Sequence, residues 1–374
     1  MTKNAVSVLL FEGGYPACET EKMLADIRQM ILLDNLAKIR EAASVGSIYL
    51  LTNRAHLAEK ALARGCIVLE RGSLTGDDFH FGRALRELIN QEKLEHVFYM
   101  GGAGFPFLRA GDLEEAASAL LAGSKPVIYA NNAVSADIVA FAPGSLINQI
   151  TPPGADNSLA LFLRTETRVE HRLFKPCTGF LFDLDTPTDL LILAGSPFTG
   201  PKVREAIERL DLDLSRLQRA KEVIRNDNYD DILLLGRVGA PVMAKINQSW
   251  KVRLRVFSEE RGMKALGRDK RGEVVSLLGY FLQEVGPKKF IQYLEKICSA
   301  AFLDTRVLMA HLKPDLPAEE RYLSDLGRWQ EMKEPFFREF TRCAVESDIP
   351  IILGGHSLVL GGLWALLDEL ECSR

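Results

Sequence analysis

The feature that most limits what this chain can fold into is the regular exchange, over its first half, of short apolar runs with longer segments of helical periodicity. Runs bounded by turn residues lie at Val6–Phe11, Ser47–Thr52, Cys66–Glu70, His96–Met100 and Lys125–Ala130. Between the first two, Met23, Ile27, Met30, Ile31 and Leu36 recur at helix spacing within Glu21–Ala43. Strands buried on both faces read as continuous apolar runs, and strands that alternate with helices pair in parallel. The expected fold class is therefore α/β, a mostly parallel sheet sandwiched between helices. Ligands of such sheets bind outside the carboxyl ends of the strands, so the loops that follow strands carry the chemistry.

Local signals sharpen the elements. Asn53 reads as the N-cap of a helix running to Arg64, which Gly65 stops, and Asp112 with Glu115 reads as a capping box before Ala116–Leu121. At 374 residues, with roughly 150 per domain, two domains are expected. Residues 1–200 hold 18 Lys+Arg and 23 Asp+Glu, and the other 174 hold 28 and 27. That rise in charge density, with Ser196-Pro197-Phe198-Thr199-Gly200-Pro201, places the boundary near residue 200 and gives domains 1–198 and 199–374.

Composition excludes several classes of function. A net charge of -4 is not that of a globally basic nucleic-acid binder. No run approaches the roughly 18 uninterrupted apolar residues of a membrane helix. The hexad Val6–Phe11 has only Lys3 before it and no small-residue cleavage site after it, so it reads as a core strand and not a signal peptide. Six cysteines without CxxC or Cys/His ligand spacing are expected to be reduced thiols in a cytoplasmic protein.

Three loops stand out. Glu12-Gly13-Gly14-Tyr15-Pro16 follows the first strand, with Lys22 near the start of the next helix: paired glycines let a backbone approach a phosphate, and a lysine adds a point charge. The fourth strand runs into Met100-Gly101-Gly102-Ala103-Gly104-Phe105-Pro106-Phe107-Leu108, where three glycines in four positions imply a backbone passing close to a ligand or another element. In Gly179-Phe180-Leu181-Phe182-Asp183-Leu184-Asp185-Thr186-Pro187-Thr188-Asp189-Leu190, a short strand is expected to bring Asp183 and Asp185 onto one face, suited to a divalent cation. Thr186 then caps a helix with Pro187 in its first position.

The segment FLFDLDTPTDL resembles the closing D-x-D-T-P-x-D-L motif of the small nucleotidyltransferases of the molybdenum-cofactor and 2-phospholactate guanylyltransferase type, whose GT-A-like fold is shared with nucleotide-sugar glycosyltransferases. The likeness extends over residues 4–195. FEGG with Lys22 stands where that family has its glycine-rich nucleotide loop, YMGGAGFPFL followed by Asp112-Leu113 where it has a G-D-x-P-x-L strand end, and Asp156-Asn157-Ser158-Leu159 where several members have an asparagine loop. The resemblance implies a nucleotide held by Gly13, Gly14, Gly101, Gly102 and Asn157, phosphates neutralised by Lys22, and Mg2+ on Asp183 and Asp185. It implies transfer of a nucleotidyl group from an NTP to a small anionic acceptor. The alternatives are a glycosyltransferase using a nucleotide sugar and a non-catalytic binding protein on the same scaffold. Two departures weaken the catalytic reading. Gly104-Phe105-Pro106 lacks the metal-binding carboxylate of the family, and Tyr15–Glu21 lacks its arginine, while phosphoryl transfer rests on positioning and charge neutralisation.

The second half matches no known pattern. Pro201–Asn226 reads as an exposed helical pair, Asp231–Leu235 as a buried strand before Gly236-Arg237-Val238-Gly239, and Lys251–Phe257 as a strand with one basic face. Residues 245–289 carry 11 Lys+Arg against 5 Asp+Glu, a place for an anionic small molecule. The densest part, 258–272, has no aromatic residue for base stacking, so nucleic acid is not expected. Helices Glu273–Glu284 and Lys288–Cys298 are split at Gly286-Pro287. A final strand, Ile349–Leu353, leads to Gly354-Gly355-His356-Ser357, with Ser357 as N-cap of a helix to Leu370 and His356 as a candidate general acid or base.

Overall fold

The computed structural model describes residues 5–70, 79–101, 104–226 and 228–373. Its contacts form two compact units: Met1–Ala17, Ala25–Phe180 and Lys264–Leu266 in the first, and Cys18–Leu24, Leu181–Met263 and Gly267–Arg374 in the second. Each expected run of the first half is a strand, β1 (Val6–Phe11), β2 (Val45–Thr52), β3 (Ile67–Glu70), β4 (Val97–Gly101) and β5 (Val127–Ala130). With β6 (Ile138–Ala142) and β7 (Glu170–Leu173) they make a seven-stranded sheet in the order β3-β2-β1-β4-β6-β5-β7. All pairings are parallel except those of β6 with β4 and β5.

The pleat explains the layers. Val6, Val8 and Leu10 of β1 enter one core with Leu32, Leu36, Ile39, Leu113 and Leu120. Leu9 points the other way, into a core with Phe81, Leu85, Leu88 and Leu159. Helices thus cover both faces, as the continuous apolar runs require. The reversal at β6 sets Ile138 opposite Met100, so the chain entering β6 stands at the same edge as the carboxyl end of β4.

The second unit is built on four parallel strands, β8 (Asp231–Gly236), β9 (Arg253–Ser258), β10 (Ala300–Asp304) and β11 (Ile351–Gly354), in the order β11-β10-β8-β9. The chain moves from β8 outward to β9 and then returns to the other side of β8, which puts the topological switch point between β8 and β10. Leu233, Leu235, Leu303, Ile351 and Leu353 bury one face against Phe290, Leu294, Phe337 and Phe340. Helix Pro187–Gly195 packs on β11 and on helix Gly361–Cys372, burying Leu190 to Leu193 at about 1.5–3 kcal/mol per side chain. The α/β class, with a mostly parallel first sheet and a second α/β unit, is as the sequence implies.

Several local expectations are corrected. Helix Ala55–Leu62 starts behind Arg54, and Asn53 does not cap it; its side chain turns to the first loop instead. Helix Ala110–Ala122 begins ahead of Asp112, which is therefore not the N-cap but lies in the first turn, where its carboxylate accepts a hydrogen bond from the backbone of the cap residue Arg109. The residues before Asp183 form a short helix, Thr178–Leu181, and not a strand, so strand alternation does not place Asp183 and Asp185 on one face. Ser357 opens a 3-10 turn, Ser357–Val359, and the following helix, Gly361–Cys372, has Leu360 at its cap. The Thr186 cap and Pro187 at the first helical position are present. Leu277–Ile297 is interrupted at non-helical Gly286 (φ 75°, ψ 164°), beside the expected break. Among the described residues, no helix is long and apolar enough to cross a membrane.

Candidate functional site

In the first unit the glycine loops lie at the carboxyl edge of the sheet. Gly14 has φ 99°, a conformation that costs other residues a strained backbone. Its N–H donates to Asn53 Oδ1 (3.2 Å) and its carbonyl accepts from Arg54 Nη2 (3.1 Å), so the two residues that follow β2 clasp the loop that follows β1. Beneath it, Glu12 is buried and paired with Arg28 at 3.3 Å. Gly101 donates from its N–H to the Asp137 carbonyl (2.8 Å), and a Cβ there would lie 3.3 Å from Asp156 Oδ2. Asp156 also accepts from the Tyr99 hydroxyl (3.2 Å) and the Asn157 N–H (2.8 Å). Burial first, and then the Asp156 carboxylate, push the Tyr99 phenol well above its ordinary range, which keeps it a donor.

The structure thus brings Gly101 and Asn157 together around Asp156, while Gly14 sits with Asn53 and Arg54; Gly13 is exposed. Gly102 lies outside the described residues. Among the described residues, Asn53 Nδ2, Arg54 Nε and Asn157 Oδ1 are buried at this edge without a hydrogen-bond partner. Buried polar groups are nearly always satisfied, so two donors and one acceptor without a partner among the described residues make this edge the candidate site of the first unit. Asn53 and Arg54 went unrecognised as site residues in the sequence; the usable signal was two polar residues directly behind a buried strand.

The other candidates belong to the second unit. Lys22 is exposed in the first turn of helix Glu19–Glu41, and its N–H donates to Cys18 O. Asp183 is half-buried and its carbonyl accepts from Ser357 Oγ (3.1 Å), while Thr188 Oγ1 donates to Leu353 O (2.6 Å) at the end of β11. These bonds seat the aspartate segment against the Gly-Gly-His turn, bringing two sequence features together. Asp185 is exposed, and its N–H donates to Asp189 Oδ2 (3.0 Å), which also accepts from Thr186 N (2.7 Å) and Oγ1 (2.9 Å). Asp189 Oδ1 is buried and unpartnered. Burial, with the nearby Asp185 charge, raises the Asp189 carboxyl to about 7.

At the switch point, Asp304 ends β10 and receives Arg237 bidentately, Nε to Oδ2 at 2.6 Å and Nη2 to Oδ1 at 3.0 Å. A Cβ on Gly236 would lie 2.6 Å from the Asp304 Cβ, and φ 102° there suits only glycine, so the approach of β8 to β10 fixes this pair. Burial opposes the Asp304 charge, but Arg237 and then His356 outweigh it and hold the carboxyl below its ordinary value. His356 is therefore electrostatically coupled to Asp304, a carboxylate able to stabilise its imidazolium. Arg306, next along the chain, is paired with Asp325 (Nη1 to Oδ1, 3.0 Å).

Among the described residues, no group of three or more His, Cys, Asp or Glu is arranged to hold a metal ion. Mg2+ commonly takes one or two protein carboxylates and completes its shell with phosphate and water, and the oxygen donors of Asp183 and Asp185 fit that mode.

No protein-family model matches the chain, and no curated protein matches it in sequence. Among solved structures, it is similar to a protein ascribed to the nucleotide-diphospho-sugar transferases from Desulfovibrio desulfuricans G20, at 15% identity over 54% of this chain and 94% of that one, with a TM-score of 0.37. It is similar to a cytidylyltransferase from Leptospira borgpetersenii, at 12% identity over 54% and 92%, with a TM-score of 0.39. It is also similar to 4-diphosphocytidyl-2C-methyl-D-erythritol synthase, at 12% identity over 52% and 98%, with a TM-score of 0.36. Likenesses this distant assign no activity.

Proposed function

We infer that the first unit binds a nucleotide at the carboxyl edge of its sheet, and that the chain transfers a nucleotidyl group from an NTP to a small anionic acceptor. In that reaction an acceptor oxygen bonds to the α-phosphorus and pyrophosphate leaves. The observation that carries the reading is the set of buried, unpartnered polar atoms, Asn53 Nδ2, Arg54 Nε and Asn157 Oδ1, beside Gly14 and Gly101. Two donors suit phosphate or ribose oxygens, and one acceptor suits a base or ribose donor. Arg54 supplies a guanidinium in reach of the first loop, where Tyr15–Glu21 offers no arginine. The second unit carries candidates of its own: Asp183 and Asp185 would hold Mg2+, Lys22 is an exposed cation at a helix start, and His356, coupled to Asp304, would move a proton.

One observation favours a second reading, in which the protein binds nucleotide without turning it over. Phe105, in the stretch where the resembled family has a metal-binding aspartate, is a core residue with 1% exposure. Calorimetric titration with GTP, CTP and nucleotide sugars, with and without Mg2+, tests both. Binding of at least one is expected, with Arg54→Gln weakening it about tenfold, the scale of one lost charge-assisted hydrogen bond. No heat with any of them overturns both readings, and binding without pyrophosphate release leaves the second.

A further inference from the structure

Helix Ala318–Leu326 carries a cation, Arg321, whose side chain no described residue bonds. Arg321 is partly buried, its Nε is enclosed without a hydrogen-bond partner, and its side chain makes no hydrogen bond or ion pair among the described residues. The two buried arginines described in this unit are matched by carboxylates, Arg237 by Asp304 and Arg306 by Asp325. Arg321 stands within electrostatic range of Arg306, whose charge is already taken, so the two guanidiniums repel. Burial and that repulsion both lower the Arg321 pKa, yet an arginine keeps its proton in water, and the charge stays. Asp269 acts on Arg321 without a hydrogen bond, and its own Oδ1 is buried and unpartnered.

The neighbour on the helix completes a recognisable donor set. Tyr322 lies under the Arg306 guanidinium (5.9 Å to the ring centroid), and its hydroxyl makes no hydrogen bond among the described residues. Burial raises that phenol, Arg306 opposes the rise, and the Glu21 and Asp185 carboxylates reinforce it, so the hydroxyl remains a donor. Arg306 leads directly back to Asp304 and to the gap between β8 and β10, where open α/β sheets place their ligands. We propose that Arg321 and the Tyr322 hydroxyl form an anion site of the second unit, and that its ligand is the phosphate group of a small molecule. The guanidinium fork presents paired N–H donors that match two phosphate oxygens, and the phenol supplies a third bond. This site stands on observations separate from the orphaned atoms of the first unit.

The test is titration of the full chain with inorganic pyrophosphate, succinate, GTP and CTP, together with melting curves. Pyrophosphate is expected to bind, to be weakened at least tenfold by Arg321→Gln and two- to threefold by Tyr322→Phe, and to bind more tightly to Asp269→Asn, which removes a competing carboxylate. Arg321→Gln alone is expected to melt no lower than the parent chain, since the Arg321 side chain bonds no described residue, and its melting point should no longer rise with pyrophosphate. GTP or CTP binding that is weakened by Arg321→Gln assigns the phosphate to a nucleotide. Nucleotide binding that responds to Arg54→Gln and not to Arg321→Gln assigns it to a separate phosphorylated molecule. Absence of pyrophosphate binding at millimolar concentration, equal affinity in Arg321→Gln, or preference for succinate overturns the proposal.

Discussion

At the scale of the residue, the telling groups are polar atoms with something missing. Asp189 has three donors on Oδ2 and none on Oδ1, and the enclosure of that bare oxygen, with Asp185 nearby, is why its carboxyl rises to about 7. A folded-state value above the unfolded one of about 3.9 means that the folded chain holds a proton that the unfolded chain has lost. The contribution of Asp189 to stability is therefore full below pH 4 and falls as pH rises to about 7. Urea unfolding across that window should show a loss of the order of 1–4 kcal/mol that Asp189→Asn removes, whatever the variant does to the absolute value. An unchanged slope in the variant would place the titration elsewhere. Asp304 behaves oppositely, its depressed value stabilising the fold above the ordinary carboxylate range and failing only in acid. The sequence revealed Asp189 as a polar residue near a helix start and Asn53 as a cap, because propensity reports local habits. Which oxygen is left bare, or that Asn53 serves a loop 39 residues away, depends on packing.

At the scale of the element, the strands that were legible are the ones sealed on both faces. Val6–Phe11, Asp231–Gly236 and Ile351–Gly354 announce themselves as apolar runs; the structure leaves the ends of the first unmoved and shifts those of the other two by at most two residues. Strand β7 was not legible, because Glu170, Arg172 and Leu173 are exposed and no alternation survives. Neither was β10, a short strand that opens on two small alanines and ends on Asp304, and without β10 the switch point at Asp304 cannot be inferred. Arg321 was equally hidden, being one charge among several on an amphipathic helix. The joint between Leu181–Phe182 and helix Gly361–Cys372 is set by a contact that no pattern shows. A Cβ on Gly361 would stand 2.0 Å from the Leu181 carbonyl oxygen and 2.4 Å from the Phe182 Cα. Gly361→Ala should therefore cost about 1–3 kcal/mol in urea unfolding, and a variant as stable as the parent would show that the helix can slide.

For the whole molecule, composition and contacts divide the chain at different places. Charge density changes near residue 200, whereas the contacts divide it between Phe180 and Leu181. Helix Pro187–Gly195, whose residues Pro187 to Leu193 are buried, lies between these two points and belongs by its contacts to the second sheet. A fragment starting at Leu181 should unfold more cooperatively and at a higher temperature than one starting at Thr199, by several degrees for each kcal/mol of lost burial. Equal melting points would mean that the helix contributes nothing to that core. The same arrangement sets an order of events in time. Thr188 is fastened to Leu353 across 165 residues of chain, and Asp183 to Ser357 across 174. Contacts so remote in sequence form late, and during synthesis they must wait for the last strand to be made. The loop bearing the two aspartates is thus among the first parts of its unit to be synthesised and the last to be locked, so a newly made chain holds its metal-binding candidates loosely until β11 and the turn behind it arrive.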